Sequence, residues 1–157
     1  MNRILIVGWM GRIFYMLSDY VVAVTLSESN IAQDVADTWI ASGDELTMSA
    51  GWRCYCWLLG NRKDNEFSES KISAMLEMVK NTIHDSPERT KSAMNNFLNT
   101  VAISYVALHE KAVEIAKEVG IVEIKRENKK SSLLNATESI QKELDRGRLG
   151  FKRKYVR

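Results

Sequence analysis

The chain has few residues that break helices or bind metals. Its 157 residues include one proline, eight glycines, two cysteines and two histidines. So few breakers favour long helices over many short strands. Cys54 and Cys56 would point about 200° apart on a helix, and no histidine lies in a cluster with metal-ligand spacing. We therefore expect neither a disulfide nor a metal site.

Long apolar runs are also missing. No stretch approaches the roughly 20 apolar residues that a membrane helix needs. The apolar segment 4–9 near the start is too short for a signal sequence with a cleavage site. We expect a cytoplasmic protein without a membrane partner. The length and the ordinary content of hydrophobic (45%) and charged (27%) residues predict a single domain over 1–157.

The net charge of +2 conceals an uneven distribution. Residues 1–120 hold 11 Lys and Arg against 15 Asp and Glu, whereas residues 121–157 hold 11 against 5. The end of the chain, 147–157, is a basic C-terminal tail. Such a segment either binds phosphate groups or only improves solubility, and charge alone favours neither interpretation.

Hydrophobic periodicity predicts an all-α protein of about seven helices joined by short turns. Ser86 is predicted to cap the helix that begins at Pro87, and Gly120 to end a later one. Residues 121–131 are predicted to be irregular, with 121–124 as a candidate extended stretch. Alternating antiparallel helices indicate an α-solenoid of helix pairs, and an ordinary helical bundle is the alternative. The predicted helices span about residues 12–26, 31–41, 45–59, 69–83, 87–104, 106–119 and 133–146.

Residues 4–11 resemble a strand that enters a glycine-rich turn, as in dinucleotide-binding folds. The third glycine of that pattern is missing, and no second strand follows the next helix. We therefore expect no nucleotide cofactor, and nothing else in the sequence predicts a cofactor.

Three segments carry motifs that occur together in one known protein family, in the same order and with the same spacing. Residues 83–97 match the pattern I-H-x-x-P-x-R…A-M-N-N-F, and residues 36–52 match A-x-x-W-x-x-S-x-D-E…A-G-W. Residues 145–154 are similar to x-R-G-R-V-G-K-K-R-K. Together they resemble the HEAT-like-repeat DNA alkylation repair proteins, the alkylpurine DNA glycosylase family, over the C-terminal part of that family's usual length. Residues 122–137 depart, because a basic Lys-Arg-Glu-Asn-Lys-Lys run replaces the family's acidic loop.

The resemblance implies hydrolysis of the N-glycosidic bond of an alkylated purine. Because the cationic base already leaves readily, such an enzyme mainly needs a carboxylate that stabilises positive charge on the sugar and positions water. The family's W-D-x-x-D motif maps to residues 15–19, which implies Asp19 as the catalytic carboxylate and Tyr15 as its aromatic companion. Met16 replaces the middle acid, and no arginine stands at 48–50, where the family has one in its groove.

The resemblance also implies that duplex DNA lies in a concave basic groove. Of the two adjacent asparagines, Asn95 and Asn96, we expect one to be buried with its amide hydrogen-bonded and the other to face this groove. Two other interpretations stay open: a DNA-binding relative without catalysis, and a protein-binding helical repeat. For the latter, Trp39, Trp52 and Trp57 are candidate anchors, although their helical spacing indicates core packing. We also expect either segment 4–14 or a second copy of the chain to cover the first helix pair, and we favour the second copy, which gives a homodimer. The predicted DNA-binding residues are Arg89, Lys91, Asn95, Asn96, Arg148, Lys152, Arg153 and Lys154.

Overall fold

A computed structural model describes Ala23, Ser27 and residues 30–153. This part of the chain is mainly helical, as predicted, and no helix in it is long and apolar enough to cross a membrane. Short 3-10 turns occupy Asp64–Glu66, Ile83–Asp85 and Val106–Leu108. The regular elements are α1 (Ala32–Ile40), α2 (Glu45–Asn61), α3 (Glu69–Thr82), α4 (Glu88–Ser104), α5 (His109–Val119), β1 (Ile121–Arg126), β2 (Lys129–Asn135) and α6 (Ala136–Asp145).

The helices form two layers of parallel neighbours. In the inner layer, the start of α2 meets the start of α4, where Glu45 Oε1 accepts a hydrogen bond from Arg89 N at 3.0 Å. Helix α6 packs on the other side of α4. In the outer layer, ion pairs join α1 to α3 and α3 to α5. Each outer helix and the inner helix that follows it form one pair, so the architecture is that of a helical repeat. The outer ion pairs are Asp37 with Lys71 and Lys80 with Glu118.

Aromatic side chains fill the space between α2 and α4. The rings of Trp52 and Phe97 meet edge to face with centroids 5.0 Å apart, and Tyr55 contacts Phe97 at 6.3 Å. All three are buried. The predicted core position of Trp52 is confirmed, whereas Trp39 and Trp57 are half-buried.

The helix that follows the only proline begins differently from the prediction. It starts at Glu88, and Pro87 precedes it with an extended ψ of 152°. Ser86 does not cap this helix, because its hydroxyl donates to Thr82 O at 2.8 Å and so closes the preceding helix instead. Gly120 ends α5 with a φ of 66°, the left-handed region in which the predicted glycine is favoured.

The segment predicted to be irregular is an antiparallel hairpin of β1 and β2. Ile121 pairs with Asn135 at its base, and Arg126 pairs with Lys129 at its tip. Side chains of β1 alternate between the two faces of the hairpin, as expected of a strand. Val122 points inward and is buried, while its neighbours are exposed. The last helix consequently begins at Ala136, with Asn135 as its cap, and not at 133.

Gly51 allows α1 to approach α2 closely. A Cβ at this position would lie 2.8 Å from Ala36 O and 2.9 Å from Ile40 Cγ1.

We predict that Gly51→Ala lowers the free energy of unfolding by about 1–3 kcal/mol, because the α1 backbone must move away. Gly60→Ala in the same helix is the matched control. Its Cβ meets nothing within 4 Å, so it should leave stability unchanged or raise it. Denaturant unfolding checks both, and equal effects would contradict the close-approach explanation.

Candidate nucleic-acid interface

Two adjacent clefts lie on the inner face of α2 and α4, and Arg53 lines both. We call them the tail cleft and the hairpin cleft. The tail cleft, about 580 Å³, lies between α2, α4, α6 and residues 147–153. The hairpin cleft, about 630 Å³, lies between the first turns of α2 and α4 and the tip of the hairpin.

One stripe of α4 forms the floor of both clefts. Its residues recur three or four positions apart and therefore share one face of the helix. They are Arg89, Ser92, Asn96, Asn99, Thr100 and Ile103. At 1.5 Å per residue the stripe is about 21 Å long. The clefts are thus two parts of one elongated groove.

Cations outnumber carboxylates along this groove. In the tail cleft only Glu143 opposes a set of five basic residues. Its two carboxylate oxygens bind Arg146 and Arg148, each at 2.9 Å, and hold the two guanidinium groups side by side. The basic residues are Arg53, Lys142, Arg146, Arg148 and Arg153 in the tail cleft, and Arg53, Arg89, Lys125, Arg126 and Lys129 in the hairpin cleft. Such a surface suits a polyanion.

Residues 147–153 are fixed across the ends of two inner helices. Gly150 N donates to Ile103 O at 2.6 Å, and Arg153 N donates to Gly60 O at 2.7 Å. We call this segment the strap. The predicted basic tail is therefore, as far as the structure describes it, one wall of a cleft.

Two arginines of the strap stack on aromatic rings. The guanidinium carbon of Arg153 lies 4.8 Å from the centroid of Trp57, and that of Arg148 lies 5.8 Å from the centroid of Phe151.

The half-buried thiol of Cys56 lines the same cleft, and burial raises its pKa to about 11. Among the described residues no cluster of His, Cys, Asp and Glu is arranged to hold a metal ion.

Four predicted DNA-binding residues line the clefts: Arg89, Asn96, Arg148 and Arg153. The predicted split of the two asparagines agrees with their burial, since Asn95 is 4% exposed and Asn96 is half-buried. The buried amide oxygen of Asn95 does not make the predicted hydrogen bond, since it has no partner in the described part.

Two predicted contacts turn out to serve the fold. Lys91 is 8% exposed, and its Nζ bonds to Glu88 Oε1 at 3.0 Å and to Glu123 O at 3.4 Å. Lys152 Nζ bonds to Leu59 O at 2.5 Å and pairs with Asp64 at 2.7 Å. Neither lysine is among the residues that line the two clefts. Tyr15, Asp19 and Lys154 lie outside the described residues.

Comparison with known proteins agrees with this architecture. The sequence profile of the family described as DNA alkylation repair enzyme matches residues 12–140. The chain belongs to this family. Two relatives by sequence are an uncharacterized protein of Listeria monocytogenes, which is 34% identical to this chain, and an uncharacterized protein of Listeria innocua, which is 33% identical. Each alignment covers 80% of this chain and 53% of the relative, so the chain spans about half the length of these proteins.

A solved structure is also similar to this family member. It is described as a new family of proteins related to the HEAT-like repeat DNA glycosylases with affinity for branched DNA structures. It is 92% identical, and the match covers 90% of this chain and 60% of the other with a TM-score of 0.87. The predicted helical-repeat fold is thereby confirmed.

Sequence reasoning missed several groove cations of this DNA alkylation repair family member. The resemblance places the family's groove arginine at 48–50, and Arg53 lies one helical turn later. Helical spacing puts Arg53 on the same face of α2 and was the signal that could have found it. Lys125, Arg126 and Lys129 were missed because the hairpin was predicted to be irregular.

Glu88 fastens the hairpin to the first turn of α4. Its Oε2 accepts a hydrogen bond from Lys125 N at 2.6 Å, while Oε1 binds Lys91 Nζ at 3.0 Å. Desolvation, the largest single effect, raises the pKa of Glu88, but the hydrogen bonds from Lys91 and Lys125 and the positive charges of these two residues together outweigh it, so the net pKa is lowered. A lowered pKa means that the attachment is complete above the unfolded pKa of about 4.3 and is lost as pH falls through the folded value.

We predict that Glu88→Gln loosens the hairpin without unfolding the helices. The neutral amide makes weaker hydrogen bonds than the carboxylate, so protection of the Lys125 amide against hydrogen exchange should fall severalfold. Glu127→Gln, at the exposed hairpin tip, is the isosteric control and should leave this protection unchanged. Unaltered protection of Lys125 in Glu88→Gln would contradict the attachment.

Proposed function

We propose that this protein binds DNA along the inner groove and prefers branched DNA to linear duplex. The observation that carries the proposal is the pair of cationic clefts in line on one stripe of α4. The affinity for branched DNA described for the solved relative supports the choice of DNA form, since that protein is 92% identical over most of this chain.

Electrostatics accounts for the preference. A branch point brings the phosphates of several strands closer together than a linear duplex does. The groove concentrates its basic side chains in two clusters that meet at Arg53. Each phosphate neutralised there releases bound counterions, which favours binding and makes it depend on salt.

Arg53→Gln should weaken binding to a four-way junction severalfold and reduce the slope of log affinity against log salt by about 1, since one phosphate contact is removed. Lys117→Gln is the charge-matched control, because Lys117 is exposed on outer helix α5. It should bind as the unaltered protein does. Fluorescence anisotropy at several salt concentrations, with a linear duplex of equal length in parallel, measures both quantities. Equal affinity for junction and duplex would refute the preference, and binding indifferent to salt would favour a protein partner instead.

Hydrolysis of the N-glycosidic bond of alkylated purines in DNA is the second candidate function. The family match over residues 12–140 includes the Tyr15 and Asp19 motif positions, which supports it. The carboxylates that the inner helices contribute to the groove already bind neighbouring groups: Glu45 holds Arg89 N, Glu88 holds Lys125 N and Glu143 holds Arg146 and Arg148. Asp19 is therefore the carboxylate to test.

If the protein releases alkylated bases, Asp19→Asn should abolish release, because an amide does not stabilise positive charge on the sugar. It should keep or increase DNA affinity, since one negative charge is lost. Release of 7-methylguanine from methylated duplex DNA measures the first effect and anisotropy the second. Release that survives the substitution would contradict the role of Asp19. The absence of release in the unaltered protein would leave DNA binding as the function. The homodimer and the cytoplasmic location stay predictions.

A further inference from the structure

The tail cleft forms a recess within the elongated groove. Its volume of about 580 Å³ falls in the range of small-molecule sites. The strap closes one side, and α6 closes another. The stacked base pairs of an intact duplex present only a continuous backbone and groove edges. A recess of this size therefore suits a group that leaves the stack.

An exposed aromatic ring lines this recess. Phe151 is 52% exposed although it is apolar and lies on a fixed segment. Arg148 lies against its ring, and Glu143 holds Arg148 beside Arg146. Aromatic rings next to arginines are the typical platform on which proteins stack the bases of single-stranded nucleic acid.

Two residues that line the cleft, Arg53 and Asn99, each also carry a buried polar atom without a partner, and the two atoms are of opposite character. Arg53 Nε, a donor, and Asn99 Oδ1, an acceptor, are buried and unpaired within the described chain. The terminal torsion of an asparagine is soft, so its amide can turn toward a group that enters. A phosphate offers only acceptors and would serve Arg53 alone. The edge of a nucleobase offers donors and acceptors together.

From these features we propose that the tail cleft binds one unpaired nucleotide of a branched DNA. Its base stacks on Phe151 and directs its polar edge to Arg53 Nε and Asn99, which leaves the Nη groups of Arg53 for a phosphate of the DNA backbone. The phosphate of the unpaired nucleotide itself lies near Arg146 and Arg148. This inference rests on the proposed function, because it specifies what part of the branch enters the groove.

The test compares two four-way junctions that differ only in one unpaired thymidine at the branch point. Unaltered protein should bind the junction with the unpaired thymidine about tenfold more tightly, as expected for one stacked base. Phe151→Leu should lose this preference while its affinity for the fully paired junction changes less than twofold. Phe151→Trp should retain the preference, because it keeps an aromatic platform.

Permanganate oxidation of the unpaired thymine gives an independent readout. The base should be protected in the complex with unaltered protein and reactive in the complex with Phe151→Leu. Arg53→Lys keeps the positive charge and removes the Nε donor, so it should also reduce the preference. Met78→Leu, an exposed apolar residue on outer helix α3, is the control and should change nothing.

The outcomes separate this inference from the proposed function. Tight binding of both junctions without a preference, or a thymine that stays reactive in the complex, would overturn the nucleotide site and leave branch binding intact. Failure to bind either junction would overturn both. Protection that persists in Phe151→Leu would show that the base lies elsewhere.

Discussion

The parallel packing of α2 against α4 is the constraint on which the rest of the molecule depends. The edge-to-face contact of Trp52 with Phe97 sets the distance between these helices and buries both rings. Because the helices run side by side in the same direction, the side chains on their inner face form one continuous floor. Arg53 lies where the hairpin cleft and the tail cleft meet on that floor. A shift between the helices would separate the two clefts.

Two non-helical segments convert this floor into a groove with ends. The hairpin is attached through Glu88, which accepts the Lys125 amide, and the strap is attached through main-chain hydrogen bonds to Ile103 and Gly60. Both segments bind to ends of helices, where main-chain or side-chain groups would otherwise have no partner. The carbonyl groups at the ends of α2 and α4 thus bind the strap, and the basic side chains of the strap lie beside the groove.

The helices of the described part were largely predictable because periodicity and breakers mark them. Gly120 marks the C-terminal end of α5, and Pro87 marks the start of α4 to within a residue. The hairpin was not predictable in the same way, since Leu133 and Leu134 fit a helical pattern as well as a strand. Tertiary packing decided between them, because Val122 and Leu134 pair over the core. The site was predicted in part for a related reason. Sequence shows which residues are basic, but Lys91 also bonds to Glu123 O and Lys152 bonds to Leu59 O, and only the fold brings these carbonyl groups near.

The raised pKa of Cys56 has a consequence for the chemical durability of the groove. With a pKa of about 11, only about one thiol in ten thousand is ionised near pH 7, and the thiolate is the form that attacks electrophiles. Small alkylating agents damage both DNA bases and exposed thiolates. The one thiol that lines the described clefts therefore stays protonated and reacts slowly with such agents. Burial thus protects the surface of the groove against electrophilic reagents.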